Sequence, residues 1–414
     1  VEGLAADKGL FMPESIPVLP PSFFEVLPRL SLPEIGFSVA RHFVGDEIPE
    51  TDLRRICDEA LNFEIPLTEL DARTHVLELF HGPTLAFKDV GARFMSRVMA
   101  HLLRDETNKV TVLVATSGDT GSAVAQGFYR VPGVEVVILY PSGKVSAVQE
   151  AQFCTLGENV TALEISGTFD DCQRLVKTAF ADTDLRQVRY LTSANSINFA
   201  RLLPQSFYYF YAYRQFAAKQ SSPVVFSIPS GNYGNLTAGL LAWRMGLPVA
   251  RFVAAANAND TVPAYLQTSQ YAAKPSVSTL SSAMDVGDPS NFARMREVFG
   301  DSWNEMRQQV TGYSFTDADT TQAIAEVYRR YNYLIDPHGA VGYLALRKYQ
   351  QEVQDVPGIV LATAHPVKFS EAVTATTGQQ PSVPESLAVL LEKPKKSVPM
   401  PNDYAALREY LAKN

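Results

Sequence analysis

Two stretches of this chain, KVTVLVATSGDTGS (109–122) and SSPVVFSIPSGNYGN (221–235), are built alike. Each has a β-branched and apolar run, a short loop with two glycines, and then a helical pattern. A run that is apolar on both faces suits a strand of a parallel sheet, because crossover helices cover both sides of such a sheet. Further units repeat the scheme. VEVVILY (134–140) precedes PSGKVS and a helix ending near Gly157, and NVTALEIS (159–166) precedes GTFDD and the helix CQRLVKTAF. Val249–Ala256 and GIVLAT (358–363) read as later strands. Strands alternating with helices predict an α/β fold. Ligands in such sheets bind at the carboxyl ends of strands. Three loops fall there: TSGDTGS, SGNYGN and the turn after Thr363.

The chain has 414 residues and 46% hydrophobic content, enough for two or three domains with sizeable cores. Prolines 13, 17, 20, 21, 28 and 33 punctuate residues 1–78, which read as a mostly helical N-terminal region. The expected division is 1–78 as that region, 79–108 with 200–380 as a large α/β domain, 109–199 as a small one, and 381–414 as a helical tail. The net charge of −8 argues against a nucleic-acid partner and favours a soluble enzyme. The apolar segment from Leu240 to Ala256 is broken by Arg244, Pro248 and Arg251, so it predicts no membrane span. Cys57, Cys154 and Cys172 lie far apart, show no metal-type spacing and read as buried small hydrophobes. The six histidines form no ligand set, so no metal is expected, and SGKVS lacks the pattern of a P-loop.

Lys88 follows a Gly-Pro turn and the apolar pair Ala86 and Phe87. Downstream, Val90, Phe94, Val98 and Leu102 recur every four residues, one face of a helix. Read alone, this lysine is either a solvated surface group, as most are, or a partly desolvated amine. Desolvation favours the neutral, nucleophilic form that a Schiff-base lysine for pyridoxal 5'-phosphate needs. The other candidates carry two readings as well. SGNYGN is either a tight strand–helix turn or an anion cradle, with Gly231 and Gly234 letting backbone approach the anion. In TSGDTGS, Asp119 and Ser122 suit helix caps. Arg201 in SANSINFAR is either a surface arginine or a bidentate phosphate ligand. Thr363 is either an N-cap or a hydroxyl facing a ligand.

HGPTLAFKDVGARFM (81–95) closely resembles the cofactor-lysine motif of the threonine synthase family, of the bacterial and fungal type. Further matches are SGNYGN, TSGDTGS, SANSINFAR, SSAMDVGDPSNF (281–292), LYPSGKVSAVQEAQFCTLG (139–157) and IDPHGAVGYLAL (335–346), and together they span from about Gly3 to about Val373. The resemblance implies the tryptophan-synthase-β-like fold type II: two parallel-sheet α/β domains with an additional helical N-terminal region. It implies a pyridoxal-phosphate-dependent carbon–oxygen lyase in the cytoplasm, a monomer or homodimer, that turns O-phospho-L-homoserine and water into L-threonine and phosphate.

By the same resemblance Lys88 is the catalytic and cofactor lysine. Gly231, Asn232, Tyr233, Gly234 and Asn235 hold the cofactor phosphate, Thr363 faces its ring nitrogen, and Asp119 lies near its ring hydroxyl. Thr116, Ser117, Gly118, Asp119 and Thr120 form the substrate loop, while Asn195, Ser196 and Arg201 contact the substrate phosphate. His81, His338 and His365 fall in matched motifs as positioning groups. Two positions depart from relatives: the family often has an acidic residue at 235, and many proteins of the fold have Asn at 119. Family members begin roughly 20 residues before the stretch matching EGLAADKGLFMP, so an N-terminal extension is expected. A phospholyase releasing 2-oxobutyrate would use the same residues. A non-catalytic cofactor-binding scaffold is a rival of another class.

Overall fold

The computed structural model describes residues 5, 9–104, 109–116, 118–219, 223–354 and 356–413. The chain forms two compact units, both α/β.

The larger unit comprises Met12–Phe87 and Leu202–Ser382. Its sheet contains β1 (Leu67–Asp71), β2 (Thr74–Glu78), β7 (Val224–Pro229), β8 (Val249–Ala256), β9 (Val310–Ser314) and β10 (Gly358–Ala362), in the order β1-β2-β10-β7-β8-β9. All neighbours are parallel except the β1–β2 hairpin. Helix Pro337–Glu352 covers one face, where Val341, Ala345 and Leu346 pack with Val225, Val253 and Val360. Before the hairpin come the helices Leu32–Val44 and Glu50–Ala60. The first starts at a capping box in which the Ser31 hydroxyl accepts from the Glu34 N–H, while the Glu34 carboxylate accepts from the Ser31 N–H. Gly36 lets Phe207 of helix Phe207–Ala217 come close, since a Cβ there would lie 3.2 Å from its ring.

The smaller unit comprises Lys88–Arg201 and the C-terminal stretch from Val383. Its sheet is wholly parallel, ordered β11-β5-β4-β3-β6, from β3 (Val110–Ala115), β4 (Val134–Pro141), β5 (Val160–Ser166), β6 (Tyr190–Thr192) and β11 (Ser397–Pro401). Successive residues alternate between two cores. Val112, Val114, Val136 and Ile138 face one cluster, and Leu113, Ala115, Val137 and Leu139 face the other. That is the expected outcome of an apolar run covered on both sides. Helix Lys88–Leu102 packs on helix Asp119–Phe128, and Gly127 permits the approach: a Cβ there would meet the Ala92 carbonyl at 3.0 Å.

The units divide the chain at other points than the sequence suggested. Helix Lys88–Leu102 belongs with the smaller sheet, and the N-terminal helices belong with the larger one. The stretch 67–78 is a strand hairpin, not helix. The tail contains β11 as well as the helices Glu385–Leu391 and Tyr404–Lys413. The prolines of SVPMP hid this strand, and β11 tolerates them because it is the edge of its sheet. Its neighbours Leu407 and Leu411 complete the second core cluster.

All three cysteines are buried, and burial pushes the Cys57, Cys154 and Cys172 thiols up to about 12, 11 and 12. Among the described residues no helix is long and apolar enough to cross a membrane.

Candidate active site

In the smaller unit β3 ends at Ala115, and the Thr116 N–H donates to the Leu139 carbonyl of β4. The Thr116 hydroxyl then organises the loop. It accepts from the N–H groups of Gly118 (2.9 Å) and Gly121 (2.8 Å) and also faces the Gly118 carbonyl. Ser117 lies outside the described residues. Gly118 is the N-cap of the next helix, with φ +146°, a conformation that favours glycine. Neither Asp119 nor Ser122 caps that helix. Ser122 Oγ donates to the carbonyls of Gly118 and Gln149. Asp119 is the first helical residue, with Thr120 beside it in the first turn, and its carboxylate is turned to side chains. Asp119 Oδ1 accepts from Gln149 Nε2 at 2.9 Å, and Oδ2 lies 3.9 Å from Lys88 Nζ.

Lys88 opens helix Lys88–Leu102, and its side chain retains 18% exposure against 3% for Asp119. The amine is therefore reachable while its counter-charge is dry. Sequence reasoning missed Gln149. It lies inside a matched motif, but the signal for it is indirect: a buried carboxylate demands a donor.

SANSINFAR follows β6 in the same unit. Asn195 exposes its carbonyl to Asn198 N–H, and its own side-chain oxygen is buried with no hydrogen-bond partner among the described residues. Ser196 follows in the same turn. Arg201 is 4% exposed, so it is no surface arginine. Its Nη1 donates to the Ala194 carbonyl. Burial pulls its guanidinium down to about 10, against the opposing pull of the Asp89 carboxylate. Gly91 of the Lys88 helix makes room for it, since a Cβ there would lie 2.7 Å from the Arg201 carbonyl oxygen.

In the larger unit β7 runs into SGNYGN and then into helix Gly234–Arg244. The Ser230 N–H donates to the Ala255 carbonyl of β8, as Thr116 does to β4. Tyr233 sits at φ +58°, a left-handed conformation that is uncommon for a residue with a side chain. Its hydroxyl is buried and has no partner among the described residues, and burial raises its pKa far above the usual tyrosine value. Strain and an orphaned polar atom in one residue mark a functional loop. The two asparagine side chains brace the loop itself. Asn235 Oδ1 accepts from Ser230 Oγ and the Leu236 N–H, and Nδ2 donates to the Pro229 carbonyl. Asn232 Oδ1 accepts from both Ser290 N–H and Oγ. The first amides of a helix have no acceptor within it. Leu236 is served by Asn235, which leaves the Gly234 and Asn235 N–H groups at the positive end of the helix dipole. That arrangement holds an anion. Gly231 presses on the 281–292 segment, where a Cβ would meet Met284 Cα at 2.7 Å.

Thr363 follows β10, and its carbonyl accepts from the Phe87 N–H at 2.9 Å, one residue before Lys88. An isolated bridge between Ala86 and Ala364 reinforces the link. Thr363 is not an N-cap. That role falls to His365, whose Nδ1 accepts from the Val367 N–H at 3.1 Å. This bond assigns the proton of the neutral ring to Nε2. His338 donates from Nδ1 to Asp336 (2.6 Å) and accepts at Nε2 from the Ala283 N–H, and His81 pairs with Glu78 at 2.7 Å. All three histidines are thus committed to positioning.

Burial, helped by nearby His81, pulls His365 down from 6.5 to about 4. The unfolded chain therefore binds a proton at higher pH than the folded one. Stability contributed by the neutral ring is complete above pH 6.5 and is lost as pH falls towards 4, by up to about 3 kcal/mol. Denaturant unfolding of His365→Gln across this range should show a shallower decline than the parent. An equal decline would contradict this.

Comparison with known proteins bears on the same residues. A family model described as pyridoxal-phosphate dependent enzyme matches residues 65–363. A threonine synthase N-terminal model matches 1–61, and a threonine synthase C-terminal model matches 339–411. The threonine synthase of Haemophilus influenzae is 45% identical over 413 residues, covering 100% of this chain and 95% of its own. That of Escherichia coli K12 is 44% identical over 410 residues, covering 99% and 94%. The crystal structure of pyridoxal-phosphate-bound threonine synthase from Brucella melitensis superimposes with a TM-score of 0.92 at 36% identity, covering 99% of this chain and 94% of that one.

Proposed function

The chain belongs to the threonine synthase family of pyridoxal-phosphate-dependent enzymes, and from that premise we propose that it converts O-phospho-L-homoserine and water into L-threonine and phosphate. It is a lyase of threonine biosynthesis that uses pyridoxal 5'-phosphate. The observation that carries the residue assignment is the partly exposed Lys88 amine 3.9 Å from a buried carboxylate.

The residues present fit the cofactor. The Gly231–Asn235 loop would hold its phosphate with amides at a helix start, Lys88 would hold its aldehyde carbon with an amine, and Thr363 would serve its ring with a hydroxyl. When bound, pyridoxal 5'-phosphate supplies an electron sink next to the substrate's α-carbon. The Lys88 amine removes the α-proton and returns one to that carbon at the end, as base and then acid. Asp119 stabilises the charged form of that amine. Arg201, Asn195 and Ser196 bind the substrate phosphate, with Arg201 supplying the charge-assisted bonds. Gly118 at the N-cap and Thr120 in the first turn of the Asp119 helix grip the substrate, with Ser117 assigned to the same role by the family resemblance, while Thr116 keeps the loop in shape. Asn232 and Asn235 serve the phosphate loop through their backbone, because their side chains brace it.

The acidic balance supports an enzyme that acts on a small molecule and not on nucleic acid, and the family resemblance supports a cytoplasmic enzyme, monomeric or homodimeric. Turnover in heavy-oxygen water tests the chemistry. Threonine should carry solvent oxygen in its hydroxyl, while the released phosphate keeps only substrate oxygens. Solvent oxygen in the phosphate, with homoserine as product, would mean simple phosphate-ester hydrolysis and would overturn the proposal.

A further inference from the structure

The helix Ala147–Cys154 brings Gln149 against Asp119, and no role assigned above uses that side chain. Its amide orientation is determined. Ser146 Oγ donates to Gln149 Oε1 at 3.0 Å, so the NH2 group faces Asp119, where Nε2 donates to Oδ1 at 2.9 Å. The flipped amide would set its oxygen against a carboxylate, two acceptors with no proton between them. The backbone is tied down as well. The Gln149 N–H donates to Ser146 Oγ, and the Gln149 carbonyl accepts from Ser122 Oγ of the Asp119 helix. Gln149 and Asp119 are 9% and 5% exposed, so this bond is out of water, where a charge-assisted bond counts most. Gly118 is shaped to it: a Cβ there would lie 2.4 Å from the Gln149 amide.

We infer that Gln149 is a positioning residue for the Lys88–Asp119 pair. It keeps Asp119 an ionised acceptor and fixes the rotamer that turns Oδ2 towards Lys88 Nζ, which sets the charge state of the lysine-linked cofactor. A neutral donor is what this chain needs at a position where it carries Asp. The inference rests on the reading of Lys88 and Asp119 given under the proposed function.

The test uses holoenzyme loaded with pyridoxal 5'-phosphate, at one fixed pH. The parent, Gln149→Leu and Gln149→Glu are each prepared with and without Asp119→Asn. The ratio of the two absorption bands of the lysine-linked cofactor reports its protonation, and a side chain that only packs does not move it. Either Gln149 variant should shift the ratio by about threefold or more, towards that of Asp119→Asn. Gln149→Leu, which adds no charge, should not shift it further in the Asp119→Asn background. Gln149→Glu sets two carboxylates together and should weaken cofactor retention. Adding Asp119→Asn lets an amide donate to a carboxylate again and should restore it. An unchanged ratio in both single variants overturns the inference. So does an equal shift by Gln149→Leu in both backgrounds, or a loss of cofactor in Gln149→Glu that Asp119→Asn does not restore. A parent enzyme with no such band would instead overturn the reading of Lys88 itself.

Discussion

Lys88→Ala removes threonine formation and phosphate release together, by about 10⁴-fold or more, because one amine serves as cofactor tether, base and acid. The fold should survive. Lys88 lies 3.9 Å from a carboxylate that is only 3% exposed, so removing the amine leaves that charge without its counter-ion and costs about 3 kcal/mol, a loss moderated because Asp119 retains its bond from Gln149. Parallel assays of phosphate and threonine, with thermal unfolding as a control, check this. A folded Lys88→Ala protein retaining a tenth of the parent rate would show that the amine is not the catalytic group. Lys88→Arg should be equally inactive, since a guanidinium keeps its proton and cannot serve as the base.

Gly118→Ala should be the most damaging small change in the substrate loop. Gly118 has φ +146° and ψ −98°, a conformation that costs a residue with a Cβ about 1–3 kcal/mol. The new methyl would also lie 2.4 Å from the Gln149 amide. That amide is not a free end, because it is held between Ser146 and Asp119. Displacing it sacrifices bonds of about 1 kcal/mol each. The expected result is a loss of about 3 kcal/mol in stability together with a fall of at least about a hundredfold in kcat. Thermal unfolding and steady-state rates measured on one preparation check both parts. Parent-like stability with parent-like kcat would show that the loop relaxes without consequence.

How far the sequence reaches is clear from particular elements. The strands β3, β4, β5, β7, β8 and β10 announce themselves because each is an apolar run covered on both faces. The loops that follow them, and Lys88 at a helix start, fall where they were read. The hairpin β1–β2 did not show, because five-residue strands with polar residues at their ends leave little periodicity. The edge strand β11 was masked by its prolines. The fine structure of the site was least legible. Asp119 meets Gln149 across 30 residues, and Asn232 meets Ser290 across 58, so no local pattern records either bond. The same holds for the loop asparagines, where residue type alone does not tell a cofactor ligand from a brace. The burial of Arg201 is likewise set by packing beneath the Lys88 helix at Gly91, a contact between segments far apart in the chain.

The central claim is that this chain makes threonine from O-phospho-L-homoserine with Lys88. The direct measurement is simultaneous quantification of threonine, 2-oxobutyrate and phosphate from the cofactor-loaded protein and that substrate. The account predicts threonine and phosphate in equal amounts, with neither formed by Lys88→Ala. Phosphate matched by 2-oxobutyrate, or no phosphate at all, would contradict it.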